Sequence, residues 1–376
     1  MKRNKLLLFP VLLLVSNVLF SQNTLSISNT FELINQFHPI AKQAGLKIDL
    51  SKASLLSTRG AFDPAFYVAN DQKTFDGKNY FFYSNPELKI PTWYGIEIKG
   101  GLENNYGDRL SGENTFGKSS YVGISIPLLK DLIIDKRRSD LAQSKILVNL
   151  TQEERQLVVN DLYLDGASSF WSWTYAYQKQ KLFTEVLDKT KNRLEFIKQS
   201  YQAGDRAAID TVEGVVQYQN ILNLQTQAWA DLIEEQSKLS NFLWDQNELP
   251  YELTESIQPD SSWMKADIDA FNVPTLLSVI EEANQIHPKL KMLAFKSDIL
   301  QIDKLYKTQN LLPTLRVNYN FLNKGYEFSN PLNSALYQNN YKAGLQFGLP
   351  LFLRQARGDL KQTKIKIDQQ NLEIGQ

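Results

Sequence analysis

The chain has 376 residues, no cysteine, only two histidines, and 41 basic residues against 41 acidic ones, a formal net charge of zero. The absence of cysteine excludes disulfides, thiolate metal sites, a cysteine nucleophile and lipidation at an N-terminal cysteine, and zero net charge gives no general attraction to nucleic acid or anionic surfaces. Both histidines are followed by proline, at His38-Pro39 and His287-Pro288, which leaves little for histidine-based catalysis or a zinc site; no enzyme, cofactor or metal is expected.

Lys2, Arg3 and Lys5 precede an apolar run from Leu6 to Phe20. That is the pattern of a secretory signal peptide over residues 1–22. The run is shorter than the ~20 residues a spanning helix needs. The mature chain is therefore expected to be exported, without a transmembrane helix.

Residues 28–59 read as helix, with Asn29 and Glu32 suited to a reciprocal cap and Pro39 expected to kink or divide it. Residues 62–127 then alternate apolar and polar. Ile96, Ile98 and Leu102 point one way, Glu97, Lys99 and Glu103 the other; Val122, Ile124, Ile126 and Leu128 share a face. This is strand patterning, with turns expected at Asp76-Gly77, Asn85-Pro86 and Gly107-Asp108. From Ser139 to Gln202 apolar residues recur at sevens: Leu150, Leu157, Leu164, Trp171, then Leu187, Leu194, Tyr201. The spacing predicts a coiled-coil-like helix about 95 Å long. Gly204 suits its C-cap and Asp210 the N-cap of a return helix to about Trp244. In its midst, Phe170-Trp171-Ser172-Trp173 is read as packing, and the basic triplet Lys136-Arg137-Arg138 as a headgroup contact or a solvated face. A polar connector over 245–272 follows. Pro274 then opens another helix, before strands around Val317–Phe321 and Leu345–Leu349.

The chain repeats itself. NQFHPIAKQ at 35–43 returns as NQIHPKLKM at 284–292, an offset of 249 residues (287 − 38) that also relates Pro64 to Pro313. Such periodicity marks duplicated units. The two domains read from it are 23–244 and 273–376, each running helix, proline, two strands, proline, long helix. The prolines Pro64, Pro127, Pro313 and Pro350 mark the strand–helix junctions. The first copy carries about 26 more residues between Pro64 and Pro127 than the second does between Pro313 and Pro350, expected as a long loop or an added hairpin near residues 74–106.

This order of elements resembles the TolC family of outer-membrane efflux proteins. The resemblance runs from about residue 25 to the end. It rests on the His-Pro helix starts, the strand-entering prolines, the strand ends Ile126-Pro127-Leu128-Leu129 and Leu349-Pro350-Leu351-Phe352, and the tip Tyr201-Gln202-Ala203-Gly204. It implies an α+β outer-membrane efflux fold: a long antiparallel helical hairpin forming a periplasmic tunnel, and four transmembrane strands per chain in a barrel shared by a homotrimer. It further implies a passive exit duct for efflux or type I secretion, working with a periplasmic adaptor and an inner-membrane transporter in contact with outer-membrane lipid. Gly204, Asp205, Arg206 and Asp210 would then meet the adaptor, at the part of the hairpin furthest from the membrane. The family's second hairpin would place another tip near residue 423, so the sequence is read as continuing about 90 residues beyond Gln376. The alternative is a secreted coiled-coil scaffold or adhesin with a small β-domain.

Overall fold

The computed structural model describes residues 24–254, 256–265, 276–326 and 340–375. The expected signal peptide and Pro274 lie outside them. The described chain divides into two compact units. One comprises residues up to Lys42 together with Val159–Val273, the other Gln43–Val158 together with Pro274–Gln376.

The duplication is written into the element boundaries. Helices α1 (Ile27–Phe37) and α2 (Pro39–Gly60) and strand β2 (Ala65–Phe75) recur as α5 (Leu276–Ile286), α6 (Pro288–Gln309) and β7 (Thr314–Lys324). Every boundary keeps the 249-residue offset. Proline divides the helix at both sites, because its preceding residue is pushed out of the α region. His38 and His287 accordingly adopt φ −62°, ψ 128° and φ −63°, ψ 122°. Each then caps the following helix: His38 Nδ1 accepts from Ile40 N–H, and His287 Nδ1 from Lys289 N–H, both at 3.2 Å. The expected Asn29–Glu32 cap is not formed. Helix α1 starts earlier, and extended Ser26 accepts from Asn29 N–H at 3.2 Å, while Glu32 is bonded by Gln36.

In the first unit, α1 packs with part of α3 (Lys136–Gln202) and with α4 (Ala208–Ser240). Two short strands, β1 (Thr24–Leu25) and β6 (Gln258–Pro259), pair in parallel. The core gathers Leu25, Phe170, Trp173, Leu239, Leu243 and Leu253. Leu253 and β6 belong to the expected polar connector, which is thus partly woven into this core. Phe170 and Trp173 are buried as expected, but Leu164 and Trp171 are exposed. The heptad reading fails there because a globular core, not one partner helix, sets the phase. Val159, Leu162, Phe170, Trp173 and Ala176 turn inward. Gly166 permits the closest approach, since a Cβ at this position would lie 2.5 Å from Ile34 Cδ1.

In the second unit, β2 is followed by β3 (Lys78–Pro91), β4 (Glu97–Tyr106) and β5 (Gly117–Pro127); β8 (Tyr341–Gly348) follows β7, and α7 (Arg354–Ile374) packs on α6. Among the described residues the sheet has six strands in the order β2-β3-β4-β5-β7-β8, all neighbours antiparallel. The sheet holds two strands more than the four the resemblance implies for the membrane, and of the two forms expected for the added residues near 74–106 it is the hairpin that is present. The additional residues of the first copy form the β3–β4 pair. Asp76 (φ 51°) and Gly77 (φ 69°) make the β2–β3 turn, the left-handed pair a two-residue hairpin favours. The turn expected at Asn85-Pro86 is instead strand, with Pro86 opposite Val68. The ladder to β4 skips this place, resuming at Ser84↔Asn104 and Glu87↔Gly101, so proline's missing N–H interrupts pairing only locally.

Candidate channel wall and hairpin tip

The register sorts the sheet into two faces. Phe66 on β2 stands opposite Leu88 on β3, Ile90 opposite Ile98 on β4, and Ile98 opposite Ile124 on β5. Ile124 meets Tyr319 on β7, and Val317 meets Leu345 on β8. Cross-strand partners share a face, so one apolar surface runs unbroken over all six strands. The other face carries Tyr67, Glu87, Lys89, Glu97, Lys99, Glu103, Tyr121, Ser125, Arg316, Asn318 and Gln346 by the same pairing.

Burial on β5 is inverted relative to a water-soluble sheet. Val122 and Ile124 are 55% and 37% exposed, whereas Ser119 and Ser125 on the polar face are 4% and 1% exposed. Leu345 and Phe347 on β8 are exposed too. The polar face is internally bonded. Tyr121 donates to Glu87, whose carboxylate is 3.0 Å from Lys89 Nζ. Ser119 Oγ donates to Glu103 at 2.9 Å. Glu97 and Lys99 lie 3.8 Å apart. Burying apolar groups and wetting polar ones is the rule in water; here it is reversed, as in a wall with lipid outside and a polar lumen inside.

The four prolines frame this sheet. Pro64 and Pro313 immediately precede β2 and β7; Pro127 ends β5, and Pro350 follows β8 shortly before α7. The turn after Pro127 is fastened by Arg138, which donates to the carbonyls of Asp131, Leu132 and Ile133 and pairs with Asp135 at 3.4 Å. Lys136 pairs with Asp140 at 2.7 Å, and this carboxylate raises its pKa. Two members of the basic triplet are therefore committed within the chain. That corrects the expectation of a headgroup contact or a solvated face for Arg138 in particular.

At the hairpin tip, α3 ends in a Schellman motif: Gly204 N–H bonds Tyr201 O at 3.0 Å and Asp205 N–H bonds Ser200 O at 2.9 Å. Gly204 has φ 85°, where a side chain would be strained. Asp210 is not the N-cap. Ala207 holds that position without a side-chain bond, and Asp210 lies in the first turn of α4. There its carboxylate complements the helix dipole and stands 3.8 Å from Arg206. Asp205 and Arg206 are exposed.

Sequence reading had noted Glu97, Lys99 and Glu103 but not Glu87 and Lys89. Their signal was present, as Glu87 and Lys89 alternate with Leu88 and Ile90. Reading Asn85-Pro86 as a turn hid it.

The chain matches no family model and no curated protein. Among solved structures it is similar to membrane channels. The Campylobacter jejuni CmeC outer membrane channel aligns with 93% of this chain and 66% of its own, at 11% identity and a TM-score of 0.59. The outer-membrane channel OprN aligns over 93% and 70%, at 14% identity and 0.60. The open-state Neisseria gonorrhoeae MtrE outer membrane channel aligns over 93% and 68%, at 13% identity and 0.54. The chain thus spans about two thirds of the length of these relatives. The fold is that of these outer-membrane channels. More particularly, it is the fold of the TolC-type outer membrane factors, as the sequence resemblance implied.

Proposed function

We propose that the chain forms, with further copies of itself, an outer-membrane exit duct for tripartite efflux or type I secretion. The observation that carries this reading is the two-faced sheet: one continuous apolar face left exposed, backed by a polar face whose charged groups are bonded to one another. Among the described residues no helix is long and apolar enough to cross a membrane, so a spanning role falls to strands. Six strands are fewer than the smallest membrane barrels use, and open edges are not tolerated in lipid. Several copies must share one wall, and a homotrimer is the assembly the resemblance implies. The four prolines mark where strand gives way to helix at the membrane boundary. Gly204, Asp205, Arg206 and Asp210 are the proposed contact with a periplasmic adaptor, which links the duct to an inner-membrane transporter that supplies the energy.

Expression of the whole gene product tests this. Detergent should be needed to extract it from outer membranes, as a trimer, and it should conduct ions in a planar bilayer. A water-soluble monomer without conductance would overturn the reading in favour of a secreted scaffold.

A further inference from the structure

We infer that β3 and β4 are inserted into the wall itself, so that each copy contributes six strands and the assembled pore is wide enough for polymeric or folded cargo. This rests on the exit-duct reading above. The repeat locates the insertion. Strand β2 corresponds to β7 at the constant offset, and β5 corresponds to β8 by order; among the described residues β3 and β4 have no counterpart. An appendage would be expected to break the two-faced pattern. Instead the apolar face crosses the insertion without interruption, from Phe66 through Leu88 to Ile90, Ile98 and Ile124. The polar side crosses it as well, and Glu87 on β3 is bonded from Tyr121 on β5 across the intervening β4.

The edges say what lies beyond. Among the described residues, β2 and β8 each have one paired neighbour. Six successive antiparallel strands leave the two edges running in opposite directions, so β8 of one copy can pair antiparallel with β2 of the next. A second copy is thus a fitting occupant of each edge. Three copies give eighteen strands instead of twelve. Barrel diameter grows roughly linearly with strand number, and barrels of 16–18 strands enclose an aqueous channel. The pore would be about one and a half times as wide as a twelve-stranded one, with about twice the cross-section. On the polar face the insertion supplies Glu87, Lys89, Glu97, Lys99 and Glu103, and the flanking strands add Asp71, Lys73, Arg316, Lys324 and Lys342 by the same register. The wide lumen is therefore lined by mixed charge, which suits a hydrated, polar cargo over an apolar one.

These 376 residues hold no cysteine, so cysteine pairs placed in them can be read on a full-length background in which any other cysteine is replaced by serine. In the full-length protein in outer membranes, Leu345→Cys on β8 is combined with Phe66→Cys, Val68→Cys or Asn70→Cys on β2, or with Ile98→Cys on β4. Six strands per copy predict oxidative cross-linking between copies for at least one β2 pair and none for Ile98→Cys. Cross-linking through β4 instead would show that β2 and β3 stand outside the wall. In planar bilayers, the wild-type pore should admit polyethylene glycols about one and a half times larger in hydrodynamic radius than a twelve-stranded pore admits. A conducting trimer with twelve-strand exclusion, whether β2 or β4 cross-links, overturns the six-strand wall and leaves the duct intact. A non-conducting soluble monomer overturns both.

Discussion

The two units handle apolar side chains in opposite ways. In the first, Phe170, Trp173, Leu239 and Leu243 are at most 1% exposed and fill a core made by one chain. In the second, Phe66, Val122, Leu345 and Phe347 are more than half exposed on a sheet whose serines are covered. The first unit has a core of its own, while Leu164, Leu182 and Phe196 on its long helix remain more than half exposed. On the exit-duct reading, the sheet would be half of an interface completed by an apolar solvent and further copies. The difference teaches that burial in a single chain measures self-sufficiency, and that the exposed apolar face is a functional surface rather than a packing fault.

The sharpest way to break this comparison is Trp173→Ala. It should cost the first unit about 3–5 kcal/mol, the usual result of emptying a large aromatic site. Denaturant melts followed by the helical circular dichroism signal would measure this, and assembly of the sheet in membranes should suffer only through lost protein. Next comes Val122→Arg on the apolar face. It should leave the melting of the first unit unchanged while costing barrel insertion about 2–4 kcal/mol if it lies near the bilayer midplane. The readout is the ratio of folded to unfolded protein after refolding into lipid vesicles.

The smallest effect concerns His38. Its ring is 6% exposed and lies 6.3 Å from Phe242 and 6.2 Å from Trp244, centroid to centroid. Burial lowers its pKa, partly offset by a bond to the Asn241 backbone. The unfolded chain therefore takes up a proton more readily than the folded one. The stability at issue is fully present above the unfolded value near 6.5 and declines as pH falls below it toward the folded pKa. Wild-type melting temperature should drop more between pH 7.5 and pH 5.5 than that of His38→Gln. Equal pH slopes for the two proteins would show that this ring does not titrate on unfolding.

Much of this was legible in the sequence because local chemistry decides it. The His-Pro pair divides a helix wherever it stands, and Asp76-Gly77 can hardly be anything but a tight turn. Gly204 announces a helix end for the same reason. What was not legible depended on long-range partners. The phase of α3 is set by α1 and by Leu243 and Leu253, which no heptad count along α3 reveals. Pro86 reads as a breaker until its strand is seen with an interrupted ladder. Asp210 reads as a cap because its residue type suits one, yet the start of the helix is fixed by the backbone of Ala207. The charged face was half visible, since Glu97 and Lys99 alternate plainly, whereas Glu87 and Lys89 were masked by the proline beside them.

The insertion of β3 and β4 into only one of the two repeats has a consequence for symmetry. Without it, each chain would present two equivalent strand pairs, and a ring of three chains would approach sixfold symmetry. In the six-strand wall inferred above, four-stranded and two-stranded arcs would alternate, and the charged hairpin would recur once per chain. A cargo in transit would then meet three sectors of mixed charge from the hairpins, alternating with three mainly basic ones in which Lys73, Arg316, Lys324 and Lys342 outnumber Asp71, a lumen with angular texture instead of a uniform lining.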